Sequence, residues 1–293
     1  MKLENNLLTV EISEQGAELQ SIRSNASGRE YLWQGDSAFW GRRSPVLFPI
    51  VGKAWEGQVR YGDKTVEIGQ HGFARDRKFT LVDNTDENTI TLRLDADEET
   101  MRLFPFNFSL EISYTLVDDR VTVGWKVVNH ETEREMPFQI GAHPAFYYPS
   151  GKFTPDGING YLAFDRHKEV TYELIEAKGC LGAKKYPIEF NSDGFLAITP
   201  DLFDRDALVI GDDQIHRISI LSTDFMPYMT VLFRAPIVGI WSKPGAPFIC
   251  IEPWYGRCDR VNYNGDFAER EYTQHVAPGE EWEASYCMIF EGI

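Results

Sequence analysis

Apolar and polar side chains alternate with a period of two along much of this chain. Leu8-Thr9-Val10-Glu11-Ile12 and Thr89-Ile90-Thr91-Leu92-Arg93-Leu94 show the pattern, and Phe106 to Tyr114 is the longest clean run. An Asp118-Asp119 pair separates that run from Val121-Thr122-Val123-Gly124-Trp125-Lys126-Val127, which reads as strand, tight turn, strand. Further strands are expected over 78–83, 170–175, 216–222, 229–234, 238–242, 248–252 and 285–290. Residues two apart on a strand share a face, so each strand offers one buried and one wet face. The helical period is scarce. Asp97-Glu98-Glu99-Thr100-Met101-Arg102-Leu103, stopped by Pro105, predicts one or two helical turns. Many strands with short turns and almost no helix predict an all-β sandwich or barrel, and a large antiparallel two-sheet sandwich is the expected outcome.

Composition narrows the picture. A chain of 293 residues that is 43% hydrophobic has enough apolar material for a large core. No linker-like tract and no repeat of short period interrupts it, so residues 1–293 read as a single domain. The net charge of −16 argues against nucleic acid and anionic membrane as partners, because both need a cationic face. The charge is uneven, however. Between residues 42 and 78, basic side chains (among them Arg42, Arg43, Lys53, Arg75 and Arg77) outnumber acidic ones. Cys180, Cys250, Cys258 and Cys287 are too scattered for a disulfide framework. With no signal-peptide run after Met1 and no membrane-length apolar segment, the expected location is the cytoplasm, with reduced thiols.

Three distant segments set a titratable group among Gly, Pro and aromatic residues: Gln70-His71-Gly72-Phe73-Ala74-Arg75, Gly141-Ala142-His143-Pro144-Ala145-Phe146 and Ile251-Glu252-Pro253-Trp254-Tyr255-Gly256. Each lies at a strand end or turn, where a rigid element holds a side chain while its tip stays open. Glu252 continues the face of Phe248 and Cys250, opposite Ile249 and Ile251. A carboxylate there loses solvent, its pKa rises, and it suits general-base work, unless Arg257 or Arg260 pairs with it. Histidine at 143 or 71 can give or take a proton near neutral pH, although each could also be a hydrogen-bonded structural histidine. Zinc-site spacing, a nucleophile elbow and a phosphate-binding glycine loop do not occur in the sequence.

In this order, and in an all-β chain of this length, these segments resemble the aldose 1-epimerase (galactose mutarotase) family, in particular its LacX-like branch. The likeness extends over Leu8–Leu19, from Trp40 through Pro45-Val46-Leu47-Phe48-Pro49-Ile50-Val51-Gly52, and over Pro278-Gly279-Glu280. It implies a galactose mutarotase-like supersandwich that interconverts the anomers of a hexose without cofactor or metal, as a monomer or homodimer. It implies Glu252 as the base at the C1 hydroxyl, His143 as the acid at the ring oxygen, and His71 as a group that polarises the sugar. Sugar-binding roles fall to Asp206 (with Asp204 as alternative), to Arg43 (with Lys53 as rival), to Arg75, and to the aromatic faces of Trp254, Phe73 and Phe146. The sequence around His71 differs from that of the galactose enzymes proper. The substrate therefore stays open between a free hexose and a phosphorylated or acidic sugar, and a sugar-binding protein without turnover is the alternative of another class.

Overall fold

The computed structural model describes residues 1–82 and 86–292. Two large antiparallel sheets dominate it. One has nine strands, and its centre is the run of Pro227–Phe233, Glu281–Phe290, Arg120–Asn129 and Phe108–Val117. The other has eight, with Leu208–Ile210, Ile237–Trp241, Phe248–Tyr255 and Ile140–Ala142 in adjacent places. Ala145–Tyr147 adds to the same sheet by pairing with Phe248–Tyr255. A three-stranded sheet is built from Lys2–Glu4, Leu8–Ile12 and Leu19–Ser24. The expected antiparallel sandwich is the observed architecture.

The alternation read from the sequence sorts side chains between its layers. Phe108–Val117 and Arg120–Asn129 pair through the Asp118-Asp119 turn, where Asp118 takes a positive φ. The sequence run began at Phe106, but that residue lies outside the strand. From the nine-stranded sheet, Leu110, Ile112, Val121 and Val123 enter the main core. From the eight-stranded sheet, Ile249, Ile251, Val238 and Ile240 meet them. This layer is hydrophobic from both sides, as sheet-on-sheet packing requires. The strand expected over 78–83 is observed as Thr80–Val82, and residue 83 lies outside the described residues. The predicted helix spans Glu98–Leu103; the Asp97 side chain accepts from the Thr100 backbone N–H in a capping box.

The opposite face of the eight-stranded sheet is different. Phe248 and Cys250 belong to one small apolar cluster there, with Trp33, Ala145 and Ala246. Trp254 belongs to another, with Leu47, Val209 and Cys258. Glu252 lies between these two clusters on the same strand face. The platform for a site is therefore a sheet whose other face is locked into the main core.

Candidate active site

Register explains why His143 meets Glu252. Gly141 pairs with Trp254, and Ala145 pairs with Cys250, across the same strand. Continuing either register sets residue 143 opposite residue 252. His143 and Pro144 interrupt the pairing there, so the imidazole hangs over the strand instead of joining a ladder. Its Nε2 lies 3.3 Å from Oε2 of Glu252. The two atoms are within ion-pair distance but are not aligned as a hydrogen bond. Oε2 of Glu252 and Nδ1 of His143 are both buried and without a hydrogen-bond partner among the described residues. Neither Arg257 nor Arg260 pairs with Glu252; they engage Glu271, and Arg260 also Glu173.

His71 arrives from a different part of the chain. It sits between the strand Lys64–Glu67 and a short 3-10 turn at Ala74–Asp76, with φ of 67°. Its backbone N–H donates to the Gly52 carbonyl at 2.8 Å, and the Gly52 N–H donates to His71 Nδ1 at 3.0 Å. With Nδ1 accepting, a neutral ring carries its proton on Nε2. The His71 and His143 rings stand edge to face, with centroids 5.5 Å apart. The three groups are nearly sealed by protein: Glu252 is 1% exposed, His71 6% and His143 8%. All three nevertheless line one cavity of about 410 Å³, large enough for a monosaccharide.

Aromatic rings form much of the wall. Trp40 stacks on His143 at 4.8 Å, and Trp241 meets the same imidazole edge-on at 5.8 Å. Trp254 lies flat across the neighbouring strands because glycine stands at both crossing points. A Cβ at Gly141 would come within 2.5 Å of the indole, and one at Gly239 within 2.6 Å. The Trp254 indole N–H donates to the Ala142 carbonyl at 3.2 Å, which fixes the ring.

Burial dominates the electrostatics. Desolvation pushes the Glu252 carboxyl well above its ordinary range, and the nearby Asp206 charge pushes it further. Desolvation lowers His143 to about 3, with Arg75 and Arg42 adding repulsion. His71 is likewise held well below its ordinary value, by desolvation first and then by His143 and Arg75. Burial thus disfavours a charge on each of the three side chains.

The other residues singled out from sequence divide. Asp206, Arg75 and Trp254 line the cavity, and so does Lys53, the rival to Arg43. Asp206 follows Phe203 in a loop with φ of 73°, and its carboxylate accepts from the Ala207 N–H at 2.8 Å. Asp204 is exposed and is not among the lining residues. Arg43 is not a lining residue either, because its guanidinium donates to the Gln20 carbonyl at 2.7 Å. Phe73 and Phe146 are buried in the main core, Phe73 against Phe48 and Phe108, so neither offers a face to the cavity. Sequence reasoning left out Trp241 and Lys243, and cited Trp40 only within a longer matching segment. A usable signal existed for Trp241. Gly239 pairs with Glu252 and Trp241 with Cys250, so a known strand pairing puts Trp241 on the face of Glu252.

The potential ligand atoms of His143, Cys250 and Glu252 lie within 4.8 Å of one another. Geometry alone would let them hold an ion. Desolvation, reinforced by the Glu252 charge, pushes the Cys250 thiol well above its ordinary pKa, which opposes the thiolate that metal binding needs.

The fold is that of galactose mutarotase-like proteins. A solved structure of a galactose mutarotase related enzyme from Lactobacillus acidophilus is 33% identical, with a TM-score of 0.88 and coverage of 100% of this chain and 97% of that one. A galactose mutarotase-like protein from Lactobacillus casei is 29% identical, with a TM-score of 0.90 and 99% of each chain covered. Protein LacX (plasmid) of Lactococcus lactis subsp. lactis is 28% identical over 98% of this chain and 97% of its own length. The aldose 1-epimerase family model matches residues 1–287, and the chain belongs to that family.

Proposed function

We propose that this protein is an aldose 1-epimerase whose residues 1–293 act as one domain, with Glu252 and His143 moving the two protons of ring opening. The observation that carries this reading is the 3.3 Å approach of a buried carboxylate and a buried imidazole at the floor of a sugar-sized cavity. The four free cysteines fit work in the reducing cytoplasm. Among the described residues, no helix is long and apolar enough to cross a membrane.

The reaction requires two proton transfers at neighbouring oxygens and no redox step. Sugar hydroxyls donating to Glu252 favour its carboxylate form, and His143 takes up a proton to become the acid. The stacked Trp40 ring stabilises the imidazolium that results. Glu252 removes the proton from O1 as His143 protonates O5. The C1–O5 bond breaks and the C1 carbonyl forms. Rotation about C1–C2 presents the other face of the aldehyde. O5 then attacks C1, His143 takes back the O5 proton, and Glu252 returns its proton to O1. His71, whose Nε2 lies 3.2 Å from the Gln70 side-chain amide, stands beside the ring oxygen and helps to polarise the sugar. Asp206 accepts from hydroxyls near the Glu252 end, and Trp254 supplies an apolar face for the ring.

Exchange NMR on the anomers of glucose and galactose tests the reading. Wild type should accelerate interconversion, and Glu252→Gln should reduce kcat by about 10²–10⁴-fold, the usual range for general acid–base catalysis. Wild-type acceleration that survives in Glu252→Gln would remove Glu252 from the mechanism. Sugar binding with no acceleration at all would instead favour a binding protein.

A further inference from the structure

We infer that Gln70 is a positioning residue that acts through His71: its side-chain carbonyl accepts the Nε2 proton of His71 and yields that proton to a sugar oxygen entering the cavity. This deepens the epimerase reading of the same site and rests on it.

The tautomer of His71 is the first observation. The Gly52 N–H donates to Nδ1 at 3.0 Å. The His71 backbone is pinned on both sides: its N–H donates to the Gly52 carbonyl at 2.8 Å, and its carbonyl accepts from the Phe48 N–H at 3.3 Å. Gly52 has no room to turn away, because its backbone lies directly on Cys258, where an added Cβ would come within 2.5 Å of the Cys258 Cβ. A ring nitrogen that accepts carries no proton. The neutral imidazole therefore has its single proton on Nε2, and Nε2 can only donate. A proton on Nδ1 would set two donors against each other, so Gly52 opposes the charged ring, as burial also does.

The second observation is what faces that proton. The Gln70 side-chain amide lies 3.2 Å from Nε2. The oxygen and nitrogen of a glutamine amide are told apart by their partners. Opposite a nitrogen that only donates, the partner is the carbonyl oxygen, so Nε2–H donates to Gln70 Oε1. Gln70 lines the same cavity as His71 and His143, yet it is exposed where His71 is buried. Its backbone carbonyl is held by an Arg75 Nη at 2.6 Å, which anchors the residue while leaving its side chain a path outward.

An exchange of acceptors follows from this chemistry. His71 has one proton to offer a sugar, and Gln70 already engages it. The ring oxygen of an aldose accepts without donating, so it matches the same donor. Replacing one acceptor by another costs far less than leaving a buried donor unpaired. Gln70 thus keeps the His71 ring satisfied and turned toward the cavity, and the sugar takes over its place.

The series Gln70→Met, wild type and Gln70→Glu grades the competing acceptor from none, through an amide, to a carboxylate. Two equilibrium readouts are followed: the nitrogen NMR spectrum of the His71 ring, and tryptophan fluorescence during titration with glucose and with galactose, since Trp40, Trp241 and Trp254 line the cavity. Wild type should show a neutral ring protonated at Nε2. The Nε2 proton should shift toward weaker bonding in Gln70→Met and toward stronger bonding in Gln70→Glu. Sugar affinity should move the opposite way, about 2–10-fold tighter in Gln70→Met and weaker by a similar factor in Gln70→Glu, the worth of one hydrogen bond. A merely structural role would weaken binding in both variants. A ring protonated at Nδ1, an Nε2 proton that neither variant or neither sugar moves, or binding that Gln70→Met leaves unchanged or weakens would overturn the inference. Neither readout needs turnover, so a lack of anomer exchange would end the epimerase reading without deciding this one.

Discussion

In the proposed mechanism Glu252 and His143 act as a unit, and their pH behaviour follows from sharing one proton. The ionised pair and the neutral pair hold the same number of protons, so both belong to one plateau of activity. Acid adds a second proton, which His143, lowered to about 3, resists until the solution is strongly acidic. Base removes the single proton, which Glu252, raised well above its usual range, resists on the other side. The profile of kcat/KM should therefore be a broad bell across neutral pH, with limbs that belong to the pair and not to either residue. A pH–rate series checks this. An acid limb centred near the ordinary imidazole value of about 6.5 would contradict it. At this scale the trio was legible because each member stands beside Gly or Pro, and His143 and Glu252 also close apolar runs. Glu252 also betrayed its burial by continuing the face of Phe248 and Cys250. Arg43 and Phe73 were less legible. Sequence placed them near the right segments, but the direction in which a loop turns its side chains depends on tertiary contacts such as Arg43 with Gln20.

The strand is the next scale, and here register does the positioning. Phe248–Tyr255 receives Ile140–Ala142 and Ala145–Tyr147 in one continuous register, broken only at His143 and Pro144. The indole of Trp254 can lie over its neighbours only while Gly141 and Gly239 lack side chains. Gly239→Ala should force the indole off its bed, at a cost of about 1–3 kcal/mol from overpacking. Because Trp254 is proposed as a binding face, KM for the sugar should rise more than kcat falls. Thermal melts and steady-state kinetics together check this, and unchanged stability with unchanged KM would contradict the packing argument. Long alternating strands such as Arg120–Asn129 were visible in the sequence because several repeats of the pattern accumulate. Ile140–Ala142 was not visible as a strand of its own. Its three residues, all buried, carry no alternation, and only the partner strand defines it.

Over the whole molecule, the two large sheets separate stability from chemistry. Apolar side chains from both fill the layer between them, which leaves the outer face of the eight-stranded sheet available for charged and aromatic groups. His71, His143 and Glu252 come from three regions of the sequence, and long-range strand pairing brings them to one cavity. The charge excess between residues 42 and 78 was visible in composition. That Lys53 and Arg75 from that stretch share a cavity with Lys243 depended on folding. The central claim is that Glu252 and His143 act together on one hemiacetal, and a double-mutant cycle on anomer exchange tests it most directly. Glu252→Gln and His143→Asn should each remove most of the acceleration, and the double variant should be scarcely slower than the worse single one, as for groups acting in one step. Losses that multiply, or a single variant at full rate, would contradict the claim.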